Sequence, residues 1–219
     1  MNADPDFHSY RDLPAQDAYV GKREAGEIVL EQSGAPVVFA NRYITILDDS
    51  VIFPNGKAGR YARIFANSEL AGLHGTVVVP TFENEVYFIR LFRHPVRAWS
   101  LEFPRGFAET GASHAENALR ETHEELGVEG ADATEIGLIA PNTGLLATRA
   151  RVFHVPLKSR PQAAVDAASQ TEEAISQVVA VDRHHIMSGG AQHPGLLDEI
   201  ACAFTLGALV KALHRGLVS

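Results

Sequence analysis

Residues 106–128 read GFAETGASHAENALRETHEELGV, and this stretch decides more about the chain than any other. Ser113 followed three residues later by Glu116 is the pattern of a capping box, in which the hydroxyl and the carboxylate each satisfy an amide left over at a helix start. A helix is therefore predicted from Ser113. Ala115, Ala118, Leu119, Thr122 and Leu126 recur at the spacing of one buried stripe, and Gly127 suits the left-handed residue just past a helix end. At about 100° per residue, Glu121, Glu124 and Glu125 share an arc of about 100° along one edge of that helix. Like charges so spaced repel by roughly a few tenths of a kcal/mol in water, and by more when half buried. A solvated acidic face is the plain reading of such an edge. A hard divalent cation is the sharper one, because Mg²⁺ takes carboxylate oxygens in octahedral geometry and keeps positions open for water and substrate phosphates.

The letters around the acids favour the sharper reading. Gly106, Arg120, Glu121, Glu124, Glu125, Gly127 and Val128 stand in the register of the Nudix signature, GX5EX7REUXEEXGU with U a bulky apolar residue, so the chain resembles a Nudix hydrolase. Two positions depart from the pattern: Ala112 replaces the first glutamate, and Thr122 stands where a large apolar residue is usual. The resemblance implies that Glu121 and Glu125 are core metal ligands, that Glu124 assists them, and that Arg120 orients the cluster. It also implies that the backbone carbonyl of Arg105 can ligate the metal, which would be Mg²⁺ or Mn²⁺ in its place. With no carboxylate at Ala112, Glu116, four residues before Arg120, is expected to be the ion-pair partner of that arginine.

Upstream, residues 90–106 read RLFRHPVRAWSLEFPRG. This resembles the approach to the box in the ADP-ribose pyrophosphatase branch of the family, where an arginine before a proline contacts the diphosphate. Arg93 matches that arginine, and Arg97 is a second candidate; guanidinium grips phosphate through paired N–H donors. Trp99 reads as packing. Downstream, Pro141 lies in a PNTG turn, and Thr148 stands where that branch carries an acid. Residues 171–175, TEEAI, resemble the acidic segment that supplies the catalytic base, which makes Glu172 and Glu173 candidates for it.

Composition narrows the class. The chain has 219 residues, 46% hydrophobic and 21% charged, with a net charge of −8. That is the balance of an ordinary soluble protein, and the acidic surplus argues against broad nucleic-acid binding, which needs clustered Lys and Arg. No apolar run approaches the length of a membrane helix, and the first twenty residues carry acids and prolines rather than a basic start and a greasy core. A cytoplasmic protein with no membrane partner is expected. The single cysteine, Cys202, reads as a structural thiol, and His184 with His185 point different ways whether helical or extended, which argues against a two-histidine metal site.

Around the helix the periodicities set out strands. Residues 37–49 are predicted as one strand, a turn follows at PNGK (54–57), and Tyr61, Arg63 and Phe65 alternate as in a second strand. Residues 1–70 are thus expected to form a small antiparallel β appendage that serves dimerisation and covers the substrate's base, with Tyr43, Phe53 and Tyr61 as stacking candidates. Residues 71–219 hold the core: a hairpin of TVVVP and EVYFIRLF, the box, strands at 136–140 and 149–157, a lid-like loop over 158–170, the strand SQVVAVD, and one long amphipathic helix over 196–217. The fold class is α/β, and the resemblance implies an α/β/α sandwich around a mixed sheet. It implies also Mg²⁺-dependent hydrolysis of the diphosphate bond of a nucleoside diphosphate linked to another moiety, by a homodimer, with ADP-ribose as leading substrate. Another sugar nucleotide or a dinucleotide polyphosphate, or a weakened domain that only binds such a ligand, are the alternatives.

Overall fold

A computed structural model describes residues 26–31, 37–70, 73–109, 111–162, 174–186 and 196–218. The chain divides into two compact units, one of residues 1–74 with 140–149, the other of residues 75–139 with 150–219.

The first unit is an antiparallel sheet of β1 (Val29–Leu30), β2 (Val37–Ala40), β3 (Ile44–Ile52) and β4 (Ala58–Ala66). β3 is its axis: β4 pairs with its whole length on one edge, and β1 and β2 share the other. The expected single strand over 37–49 is broken, because Asn41 Oδ1 accepts from the amides of Tyr43 at 2.8 Å and Ile44 at 2.9 Å. An asparagine side chain that binds the backbone two and three residues on turns the chain back. The PNGK turn is present, with Gly56 at φ 80° and the Phe53 amide on the Lys57 carbonyl at 2.9 Å. Leu47 and Phe65 form the core of this unit, with Leu30, Val37 and Ala147 packed against them. A short helix α1 (Asn67–Leu70) follows β4. Residues 145–147 run along the free edge of β4, where the Ile64 amide reaches the Leu145 carbonyl at 3.1 Å and the Ala147 amide the Ile64 carbonyl at 2.9 Å.

The second unit holds β5 (Gly75–Phe82), β6 (Glu85–Arg93), β7 (Ala98–Glu102), β8 (Arg105–Gly106), α2 (His114–Leu126), β9 (Thr134–Ile139), β10 (Ala150–Pro156), β11 (Ile175–Asp182), α3 (Leu196–Glu199) and α4 (Ala203–His214). Its sheet runs β11-β6-β5-β10-β9. It is mixed, since β5 and β10 are parallel and the other pairs antiparallel. β5 and β6 are apolar on both faces, as a central strand covered on both sides must be. Val78, Tyr87, Ile89 and Leu91 pack under α2 with Ala118 and Leu126, while Val77, Val79, Val86 and Phe88 pack with Ala208, Leu209 and Ala212 of α4. That is an α/β/α sandwich.

The sheet opens in its middle. β5 and β6 pair only beside their turn, at Thr81↔Val86 and Phe82↔Glu85. Beyond that, β7 pairs with β6 and β8 with β5, so that residues 98–106 cross the gap and the Val78 amide bonds to the Pro104 carbonyl at 2.8 Å. Neither short strand stands out in the alternation of the sequence. The expected long C-terminal helix is two, α3 and α4. Ile200 between them is 3% exposed in the core, and Cys202, half-buried, starts α4 in extended backbone at ψ 119°. Among the described residues no helix is long and apolar enough to cross a membrane.

Candidate active site

Helix α2 starts and ends where its sequence dictates. The Ser113 hydroxyl accepts from the Glu116 amide at 3.2 Å, the Glu116 carboxylate accepts from the Ser113 amide at 2.7 Å, and Gly127 closes the helix at φ 69°. Both caps fix the rotation of the helix about its axis. Glu121 and Glu125, one turn apart, are only 6% and 8% exposed, whereas Glu124 is exposed.

Both buried carboxylates lie against β8. The Arg105 amide donates to Glu125 Oε2 at 3.2 Å. A Cβ at Gly106 would stand 2.0 Å from Glu121 Oε1, so glycine is the residue that leaves this carboxylate its place. Arg120 lies along the outer side of the cluster, with Nη2 on Glu121 Oε1 and Nη1 on Glu124 Oε2, both at 2.6 Å. Its Nε makes an ion pair with Glu109 at 3.6 Å, and Nη2 also points at the Phe107 carbonyl at 3.4 Å.

The partner of Arg120 differs from the expected one. Glu116 is consumed by the capping box and makes no bond to the arginine, and Glu109, three residues ahead of Ala112, supplies the carboxylate instead. The loop before the helix brings Glu109 back over the helix, held by its amide on Asn117 Oδ1 at 3.3 Å. The sequence contained that acid, but a reading confined to helical i, i+4 spacing does not reach into a loop.

A second cluster stands on β6, β7 and β8. Glu102, 2% exposed, accepts from Arg93 Nε at 3.0 Å and Nη2 at 2.7 Å, and from Arg105 Nε at 3.0 Å. Burial by itself would raise this carboxyl; the two guanidinium groups outweigh it and hold the pKa at about 2. Glu102 pairs across the ladder with Ile89, which packs under α2, so it faces the side of the sheet that carries α2. The sequence reading missed Glu102. Its signal was an acid alternating with Leu101 and Phe103, on a segment flanked by two arginines.

Arg97 is elsewhere: it sits at φ 54°, with Nη1 on His94 Nδ1 at 3.0 Å and its guanidinium 5.2 Å from the centre of the Phe92 ring. Trp99 meets Phe92 edge to face at 5.7 Å. Glu172 and Glu173 lie outside the described residues. In the first unit, a cavity of about 210 Å³ is lined by Tyr61, Arg63, Thr143, Leu145, Thr148 and Arg149, among others, with the Tyr61 hydroxyl on the Gly144 carbonyl at 3.0 Å.

The donor set suits a hard divalent cation. It is all oxygen, two of its carboxylates are buried, and Glu109, Glu121, Glu124 and Glu125 outnumber the one arginine among them. Among the described residues no three acidic, histidine or cysteine side chains close around a single point. A cation that binds through one or two carboxylates and completes its shell with water and substrate phosphate, as Mg²⁺ does, fits such a set.

The model of the NUDIX domain matches residues 72–197. The methanol dehydrogenase activator of Bacillus methanolicus is 29% identical over 92 residues, 42% of this chain and 47% of that protein, so the match spans about half the length of that relative. A solved structure described as an ADP compounds hydrolase shares the fold, with a TM-score of 0.68 at 20% identity over 90% of this chain and 100% of that one.

Proposed function

Because the chain belongs to the NUDIX family, whose enzymes are pyrophosphohydrolases, we propose that it hydrolyses the diphosphate bridge of a nucleoside diphosphate linked to another moiety, with ADP-ribose as the leading substrate and AMP and ribose 5-phosphate as products. The observation that carries this reading is the seating of two buried carboxylates, Glu121 and Glu125, against a two-residue strand that also carries arginine. Glu121 and Glu125 hold Mg²⁺, with Glu124 and the Arg105 carbonyl in support; the ion, when bound, neutralises phosphate charge and lowers the pKa of water. Arg120 keeps Glu121 and Glu124 apart and oriented, and Arg93 binds a phosphate oxygen of the substrate. Glu172 or Glu173 takes the proton of the attacking water. Fixed charges of this kind supply most of the catalysis in phosphate displacement.

In this reading the protein is a cytoplasmic homodimer whose N-terminal residues 1–70 serve pairing and substrate cover. Support comes from β2, which leaves Val38 64% and Phe39 48% exposed. The test of the function is direct: purified protein with Mg²⁺ and ADP-ribose, with AMP and ribose 5-phosphate identified by chromatography. Turnover of other sugar nucleotides or dinucleotide polyphosphates alone would move the substrate within the class. Tight binding without turnover of any of them would overturn the reading.

A further inference from the structure

Strand β8 carries a side chain that the chemistry above does not use. Arg105 donates its Nε to Glu102, and its guanidinium lies 5.4 Å from the centre of the Phe204 ring. Among the described residues, neither of its two Nη atoms has a hydrogen-bond partner. Its side chain is 30% exposed, so it is fastened at one edge and reaches solvent in part. Arg93 is fastened to the same carboxylate through Nε and Nη2, at 24% exposure. Both guanidinium groups thus meet on one buried carboxylate. The backbone of Arg105 touches Glu125, and the next residue makes room for Glu121. Cationic and anionic clusters are therefore joined within two residues of chain.

From this geometry we infer that Arg105 is a second phosphate-contacting residue of the substrate site, and that Glu102 is the positioning residue that fixes the guanidinium groups of Arg93 and Arg105. A guanidinium held by its Nε presents its two remaining nitrogens as a preset pair of donors, the shape that matches two phosphate oxygens. A diphosphate offers oxygens enough for two such groups while still contributing to a cation on the carboxylate side. Glu102 itself touches no substrate; it restricts two long side chains to one geometry before the ligand arrives, which lowers the ordering cost of binding. The inference rests on the diphosphate reading above. A purely structural ion pair that ties β6, β7 and β8 together is what it has to beat.

The test uses the full chain with Mg²⁺ and ADP as the probe, its affinity measured by titration calorimetry alongside steady-state turnover of ADP-ribose and thermal unfolding. Arg105→Ala is expected to weaken ADP binding by about tenfold or more, the loss of a charged hydrogen-bonded contact, and to raise KM more than it lowers kcat. Arg105→Lys should recover part of that loss by restoring the charge without the fork. Glu102→Gln, and Glu102→Asp should the first fail to fold, are expected to weaken ADP binding at temperatures well below their unfolding midpoints. If Arg105→Ala or the folded Glu102 variants lower the midpoint yet bind ADP within about twofold of the parent, the ion pair is structural only and the inference falls. If the parent turns over no ADP-ribose while Arg105→Ala still loses ADP affinity, the phosphate contact stands and the substrate assignment fails instead.

Discussion

Gly106 and Glu121, fifteen positions apart in sequence, occupy what amounts to a single side-chain site: the space where a β-carbon would project from residue 106 is filled by the carboxylate of residue 121. The glycine of the family signature is thus required here by a close approach rather than by its backbone angle, because Gly106 is not among the positive-φ residues.

Gly106→Ala should therefore act as a displacement of Glu121. A contact of 2.0 Å to Oε1 and 2.5 Å to Oε2 cannot be absorbed without moving that carboxylate. Misplacing a reacting group by about 1 Å costs on the order of a hundredfold in rate, so turnover should fall by about that factor while far-ultraviolet circular dichroism stays that of the parent. A variant with near-normal turnover would show that Glu121 works equally well from another position.

Glu109 and Glu116 should separate cleanly. Glu116→Ala removes one half of the capping box and should lower the unfolding midpoint with little change in turnover. Glu109→Gln removes the ion pair to Arg120 and should lower kcat several-fold with little change in the unfolding midpoint, since the Glu109 side chain is exposed. Equal effects of the two substitutions on kcat would contradict the arrangement around Arg120.

Glu102 makes a pH-dependent contribution to stability whose sign follows from its depressed pKa. The group is ionised in the folded protein down to about pH 2 and in the unfolded chain only down to about 4.5. Its contribution is complete above the ordinary carboxylate value and disappears as the pH falls toward 2, a difference on the order of 3 kcal/mol. Denaturant unfolding of the parent and of Glu102→Gln should then differ most at neutral pH and converge between pH 4.5 and 2. A gap that stays constant with pH would mean the loss is one of packing.

Removal of divalent metal should abolish turnover, and Mg²⁺ should restore it. Glu121→Gln and Glu125→Gln should each raise the Mg²⁺ concentration for half-maximal rate by more than about tenfold, a loss seen even for groups one step removed from a metal. Glu124→Gln should shift it less, because that carboxylate is exposed and already engaged by Arg120. Turnover that survives chelation would refute the metal-dependent part of the proposed function.

What could be read from sequence was whatever is local. The capping box at Ser113 and Glu116, the end of α2 at Gly127 and the hairpin of β5 and β6 each depend on residues a few positions apart, and each stands where its pattern places it. The turn at Asn41 and the break at Ile200 were overlooked for a different reason: the apolar pattern continues through both, while a side-chain bond in one case and core burial in the other bend the backbone. The pairing of Arg93 and Arg105 on Glu102 depends on the opening between β5 and β6, a feature of sheet assembly with no counterpart in spacing along the chain. Arg120 illustrates the same limit, since its loop-borne partner Glu109 is held near it by a bond to Asn117 that no helical spacing foretells.

The ten residues 140–149 are ill suited to separate inheritance. They interrupt the second unit in sequence, yet the Leu145 carbonyl and the Ala147 amide are bonded to Ile64 of β4, and the Arg149 amide to Glu69 at 2.7 Å. A gene fragment trimmed to the span recognised as the NUDIX domain would retain this excursion and discard the strand that receives it. Recombination that exchanged one N-terminal sheet for another would have to rewrite residues 140–149 as well, so drift at the front of the gene and drift in its middle are yoked.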